Sequence, residues 1–439
     1  MILHEKILAQ LPEWRERIKS LAKEHGEVKV DDVTVGQIIG GMRDIKSLLT
    51  DVSFVDPAHG ILFRGMSIPE VLKKLPKARG GKMPLVGGLY YLLMVGEVPT
   101  KEQAQEVEAE WARRAELPDY VYKMLKVMPK DTHPMILFTQ AVMALARDSA
   151  FTRKYHEGMK KDAYWEPALE DSINLTAKLP VIAAFIYRYK YFGEKKKPRY
   201  NPKLDYGANF AKMMDVADRK GYAELSRLYF ILHSDHESGN VSAHLTHLAG
   251  SSLADIYSSF SAGLCGLAGP LHGLANQECL AWLLDVHKKF GGVPSRDDLY
   301  KFAWDTLNSG KVIPGYGHGV LRVIDPRFVT QMEFARKRFP DDELLRLADM
   351  VLDVVPTVLR EQGKAKNPAP NVDAISGTLQ HYYGVREFDF YTVLFGVGRA
   401  LGVTANYVWA RALGQPIERP KSVTTRMLED AVQKAAATS

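Results

Sequence analysis

The chain has 439 residues, more than one core usually serves, so two domains are expected. At 46% hydrophobic and 25% charged residues it has the composition of an ordinary globular protein, with no low-complexity linker and no internal repeat. A net charge of +6 without an arginine-rich arm or zinc-finger spacing argues against nucleic acid, and the two cysteines, Cys265 and Cys279, exclude a disulfide framework.

The first residues, Met1-Ile2-Leu3-His4-Glu5-Lys6, contain no long apolar stretch, and Glu5, Glu13 and Glu16 argue against an amphipathic import peptide. A bacterial cytoplasm is therefore expected, with the mitochondrial matrix as the alternative. Val28–Val35 and Phe54–Arg64 alternate enough for a short hairpin. Thr100 and Gln103 form a capping box ahead of Ala104, Val107 and Trp111, which fall on one helical face. Tyr191–Tyr206, rich in lysine and proline, reads as a surface loop. Leu344, Leu347, Ala348, Val351 and Val354 again show the helical period, which Pro356 is expected to end. Phe260–Leu284 and Phe390–Ala410 are apolar, but Arg399 near the middle of the second would cost about 2.5–3.5 kcal/mol at a bilayer centre. Both read as helices buried inside a large, mostly α protein, so no membrane partner is expected.

Four stretches set polar groups among glycines and prolines. In His233-Ser234-Asp235-His236 and in His244 to His247, a spacing of three puts each histidine pair on one helical face. That invites a metal, but no HExxH or paired-cysteine cluster accompanies them, so substrate-binding or core histidines are preferred and no metal is assigned. His272 follows Gly269-Pro270-Leu271, where a turn or helix start would lower its pKa and keep it neutral. His318 ends Pro314-Gly315-Tyr316-Gly317, a loop whose backbone can lie against a flat or phosphorylated group, although it is no Walker loop. Lys364 and Lys366 precede a proline-stiffened stretch to Asn371 and Asp373, a phosphate clamp beside a base. Burial would raise the Asp373 pKa and make it usable as that base. Arg399 has no acid between Phe390 and Gln415, so its partner comes from elsewhere, such as a ligand carboxylate.

The motifs HSDHESGNVSAH at His233–His244, GPLHGLANQE at Gly269–Glu278, PGYGH at Pro314–His318, DPR at Asp325–Arg327 and PNVDA at Pro370–Ala374 occur in order. On these the chain resembles the citrate synthase family of mitochondria and some bacteria, over nearly its whole length. The resemblance implies a multilayer helical fold with a cleft between a large domain, 1–272 and 378–439, and a small domain, 273–377. It implies a homodimer that condenses acetyl-CoA with oxaloacetate, with the CoA thioester as substrate and no permanently bound cofactor. Asp373 would be the base, His272 would stabilise the enol, and His318 would polarise the oxaloacetate carbonyl. His236, Arg327, Arg399 and, from the other subunit, Arg419 would hold carboxylates.

For CoA the resemblance implies the loop Val312, Ile313, Pro314, Gly315, Tyr316 and Gly317, with Arg43, Arg322 and the other subunit's Lys161 near the phosphates. Lys364, Lys366 and Asn371 join that set. Ile375, Ala369 and Gly319 depart from the family pattern beside the catalytic loops. They keep open a 2-methylcitrate synthase using propionyl-CoA. The alternative from another class is a His/Asp metallohydrolase.

Overall fold

Helices built on apolar residues at helical spacing form most of the chain, and a computed structural model describes residues 1–438. The first helix, Ile2–His25, buries Leu3, Ile7 and Leu11 and packs on Val86–Val95 and Lys101–Arg114. The capping box at Thr100 and Gln103 is present, and Ala104, Val107 and Trp111 face inward. At the centre, Trp165–Phe192 and Tyr391–Ala412 lie against each other. Every residue of Tyr391–Ala412 except Asn406 is buried, because helices cover all its sides. Arg399 is therefore a core residue, and among the described residues no helix is long and apolar enough to cross a membrane. Residues 193–205 between Phe192 and Tyr206 are irregular, as expected for that stretch.

The strands form one antiparallel meander: β1 (Ser53–Asp56), β2 (Gly60–Phe63) and β3 (Met66–Ser67), in the order β1-β2-β3. Ser53 pairs with Phe63 and Asp56 with Gly60. The hairpin thus lies wholly inside Phe54–Arg64 and its neighbour Ser53. Val28–Val35 is not its other half. Val28, Val30 and Val33 are exposed, so their alternation has no core to face, and the segment runs irregularly into the short helix Val35–Ile39.

Pro356 does not end its helix, which runs from Glu343 to Gln362 and stops at the left-handed Gly363. Val354, Val355, Val358 and Leu359 are all buried. Their burial outweighs the one hydrogen bond that a proline removes. This helix packs on Ala275–Phe290, Arg296–Asn308 and Asp373–Tyr382, and Pro326–Arg338 also packs on Asp373–Tyr382.

Candidate active site

The helix Arg219–Leu232 ends one residue before His233, so His233 and His236 lie in a loop, not on a helical face. His233 turns inward. Its Nδ1 donates to Tyr229 O at 2.9 Å, the ring stacks on Tyr229 at 3.9 Å, and burial lowers its pKa to about 3. Three long-range hydrogen bonds pin this loop. Ser53 Oγ donates to Asp235 Oδ2 at 2.7 Å and accepts from Glu237 N at 2.8 Å, while Val55 N donates to Glu237 Oε2 at 3.1 Å. On its other side the loop meets Gly402, whose N–H donates to Ser234 O at 3.0 Å. A Cβ there would come within 2.3 Å of the Asp235 Cβ, so glycine is what lets the Arg399 helix seat against the loop.

His236, His272, His318, Arg327, Asn371, Asp373 and Arg399, all anticipated above, converge on one cleft of about 200 Å³. Asn240, Val372 and Phe395 line it too. Asn240 caps the helix Val241–Ser251 and accepts from Arg399 Nη1 at 2.6 Å. Phe395, one turn before Arg399, has its ring 5.1 Å from that guanidinium and 6.1 Å from the His272 ring. An Asn before a helical run and an aromatic at i−4 from Arg399 were the available signals. Neither says that the residue faces a cleft.

Two tautomers follow from backbone donors. Ser242 N lies 3.2 Å from His272 Nε2, which must therefore accept, leaving the proton on Nδ1. Val320 N and Leu321 N lie 3.0 and 2.9 Å from His318 Nδ1, leaving that proton on Nε2. Burial lowers the His272 pKa to about 4, and Arg399 adds to the effect. The cause is desolvation in a turn between helices, not the helix start proposed from the sequence, since the following helix begins only at Ala275. His318 is likewise lowered by burial and Arg327, and His236 by burial, Arg327 and Arg399.

Asp373 opens the helix Asp373–Tyr382, with its N–H donating to Asn371 Oδ1 at 2.9 Å. Burial raises its pKa to about 6, and Arg327 and Arg399 oppose the rise. The loop carrying it is zipped to the His318 loop. Asn371 N donates to Gly315 O at 2.9 Å, Asn371 Nδ2 to Gly317 O at 3.1 Å, and Gly317 N to Ala369 O at 3.0 Å. Gly315, at φ +79°, would bring a Cβ within 2.7 Å of Ala374 Cα, so this close approach again requires glycine.

Arg327 is held by Asp325, through Nε at 3.0 Å and Nη2 at 2.6 Å. No carboxylate among the described residues forms an ion pair with Arg399; burial lowers its pKa to about 10, and the field of Asp235 counters this. The cleft thus offers two guanidinium groups, two neutral imidazoles with fixed tautomers, and one carboxyl with a raised pKa. That set can bind a dicarboxylate and move a proton.

The other anticipated residues lie outside the cleft. Arg43, Lys161, Val312, Lys364, Lys366 and Arg419 are exposed. Ile313 is buried, Pro314 and Tyr316 belong to the zipped loop, and Arg322 Nη1 donates to the carbonyls of Gly319, Val320 and Leu321. Ile375 is fully buried, and neither it nor Ala369 lines the cleft. His244 and His247 do share a helical face, turned to Glu418 at 2.7 and 3.8 Å. Among the described residues, no group of three or more His, Cys, Asp or Glu is placed to hold a metal ion.

The profile of the family described as "Citrate synthase, C-terminal domain" matches residues 41–421. The chain is 53% identical over 432 residues, covering 98% of itself and 93% of its relative, to the probable mitochondrial citrate synthase of Glossina morsitans morsitans. It is 51% identical over 433 residues to mitochondrial citrate synthase 4 of Arabidopsis thaliana, covering 99% and 91% of the two chains. The crystal structure of citrate synthase from Pyrobaculum aerophilum matches at TM-score 0.78 and 26% identity, over 91% of this chain and 97% of that one. A ternary complex of the Thermoplasma acidophilum enzyme with carboxymethyl coenzyme A and oxaloacetate shares the fold, at TM-score 0.73, 22% identity and coverage of 88% and 96%.

These relatives overturn the expectation of a bacterial cytoplasm. The relatives matched at 51–53% identity are named mitochondrial, which points to the mitochondrion. The acidic residues behind that expectation lie on the folded helix Ile2–His25, where they report its solvent face and not an address. By profile, sequence identity and fold alike, the chain belongs to the citrate synthase family and is an acyltransferase of the citrate (Si)-synthase type.

Proposed function

We propose that the cleft joins the methyl carbon of acetyl-CoA to the carbonyl carbon of oxaloacetate and then hydrolyses the thioester, giving citrate and CoA. Asp373 takes a proton from the acetyl methyl, and the electron pair moves toward the thioester oxygen. His272 Nδ1–H donates a hydrogen bond to that oxygen, which is where charge develops. The enol carbon attacks the oxaloacetate carbonyl carbon, whose oxygen takes a proton from His318 Nε2–H and becomes the citrate hydroxyl. Water then adds to the citryl thioester carbonyl and gives one proton back to His318, the C–S bond breaks, and the sulfur takes the proton held by Asp373 and leaves as the thiol of CoA. His236, Arg327 and Arg399 hold the oxaloacetate carboxylates.

The observation that carries this reading is the pairing of protonation states. Two histidines are neutral donors with tautomers fixed by backbone N–H groups, opposite an acid whose pKa burial raises toward neutrality. A weakly acidic thioester α-proton needs both halves at once.

Residues 273–377 are proposed as a small domain that closes on the remainder, excluding water until condensation is complete. Val312–Gly317, Arg322, Lys364, Lys366, Asn371 and Arg43 are assigned to CoA, with Lys161 of the other subunit of a homodimer. Arg419 is assigned across that interface. In support, Glu418 is anchored by His244 and by its N–H to Ser251 Oγ at 3.0 Å, whereas Arg419 itself is exposed.

Relatives named citrate synthase favour acetyl-CoA over propionyl-CoA and over a metallohydrolase. The test is the initial rate of CoA release with oxaloacetate and either thioester, with and without EDTA. The expected result is a higher kcat/KM for acetyl-CoA, by a finite factor since one methylene is worth only about 1–3 kcal/mol, and no effect of chelation. A higher kcat/KM for propionyl-CoA, or activity lost to EDTA and restored by metal, would overturn it.

A further inference from the structure

A second concavity, of about 700 Å³, lies where the loop around Gly80 and the helices Tyr206–Met214 and Arg219–Leu232 meet the end of the helix Pro326–Arg338. Its wall carries Arg79, Lys82, Lys212, Arg219, Lys220 and Arg338, with Arg227 beneath them. The one carboxylate in the wall, Glu224, is buried and already engaged. It accepts from Lys82 N at 2.8 Å and Met83 N at 3.2 Å, pairs with Arg227, and lies 3.6 Å from Arg338. Arg227 is further held by Asp205 at 2.8 Å, and Arg219 pairs with Asp215. Arg79, Lys82 and Lys220 form no ion pair among the described residues, and Lys212 reaches only the carbonyl of Arg199, at 3.4 Å. The exposed cations outnumber what the wall can neutralise.

We propose that this concavity is a binding site for a small polyanion carrying two or more phosphate groups. Its volume falls in the range of small-ligand pockets, about 300–1,000 Å³. Like charges gathered around a concavity repel one another and focus a positive potential into it, so a multiply charged anion relieves repulsion as it binds. Cations at several points of the wall suit several charged groups on one ligand, which a single chloride cannot supply. Arg338 comes from the 273–377 segment and the other cations come from outside it, so the bound anion bridges the two. The proposal does not depend on the reaction assigned to the cleft.

Tripolyphosphate is the probe, titrated calorimetrically into the full-length protein at low ionic strength. One saturable site is expected, weakened at least about tenfold in Lys82→Glu/Lys220→Glu and kept in Lys364→Glu/Lys366→Glu, since a charge-assisted contact contributes about 1.5–3 kcal/mol. Tripolyphosphate should raise Tm in the wild type and less in the first variant. Without tripolyphosphate, CoA release by the first variant should match the wild type. Should the charge reversal fail to fold, Lys82→Ala/Lys220→Ala carries the same expectation. No saturable binding, binding unchanged in the Lys82/Lys220 variants, or binding lost only in the Lys364/Lys366 variant would overturn the proposal.

Discussion

Asp373→Asn is expected to lower kcat by at least about a hundredfold while leaving the fold and oxaloacetate binding intact, because asparagine keeps the shape but cannot take the methyl proton. The wild-type pH profile should carry the same signature. With the Asp373 pKa raised to about 6, the carboxylate form dominates above that value and is lost below it. The kcat/KM should therefore fall about tenfold per pH unit on the acid side of 6. His272 stays neutral there, since its pKa is lowered to about 4, and burial lowers His236 and His318 as well. Near-normal turnover of purified Asp373→Asn, with an unshifted acid limb, would remove Asp373 from the role of base.

Asp373 could be singled out from sequence because it is the only acid between Glu361 and Glu387, in a stretch stiffened by prolines. Arg399 was legible for a similar reason, as a charge in a run without acids. Both arguments concern the cost of burying a lone charge, which a sequence states directly. What supports these residues was not legible. Ser53 pins Asp235 and Glu237 from 182 and 184 residues away, and nothing local to either partner predicts that contact. The tautomers of His272 and His318 depend on the N–H groups of Ser242, Val320 and Leu321, and hence on backbone direction in three dimensions.

The differences between local pattern and fold share a cause. The spacing of His233 and His236 implied a helical face, but the helix ends at Leu232. Val28–Val35 has a strand's alternation without a core to face, and Pro356 sits in a helix that burial on both sides of it sustains. Local pattern proposes an element, and tertiary burial decides whether it forms.

The second large effect concerns Arg419. In the proposed homodimer, Arg419→Ala should impair oxaloacetate use without dissociating the subunits, because the pair proposed between its guanidinium and an oxaloacetate carboxylate in the other subunit's site is lost. Mixed with Asp373→Asn under conditions that re-form dimers, two nearly inactive proteins should regain activity. In the heterodimer one site carries both lesions and the other neither, so each heterodimer should reach up to half the wild-type rate. Verified heterodimers as inactive as their parents would show that Arg419 does not act across the interface.

The fate of the methyl carbon tests the assigned chemistry most directly. Acetyl-CoA labelled with carbon-13 at the methyl group is incubated with oxaloacetate and the full-length protein, and the products are followed by NMR alongside free CoA. The label should appear in a methylene of citrate, one per CoA released, and no CoA should be released when oxaloacetate is omitted. Label recovered as acetate, with CoA released whether or not oxaloacetate is present, would contradict carbon–carbon bond formation in this cleft.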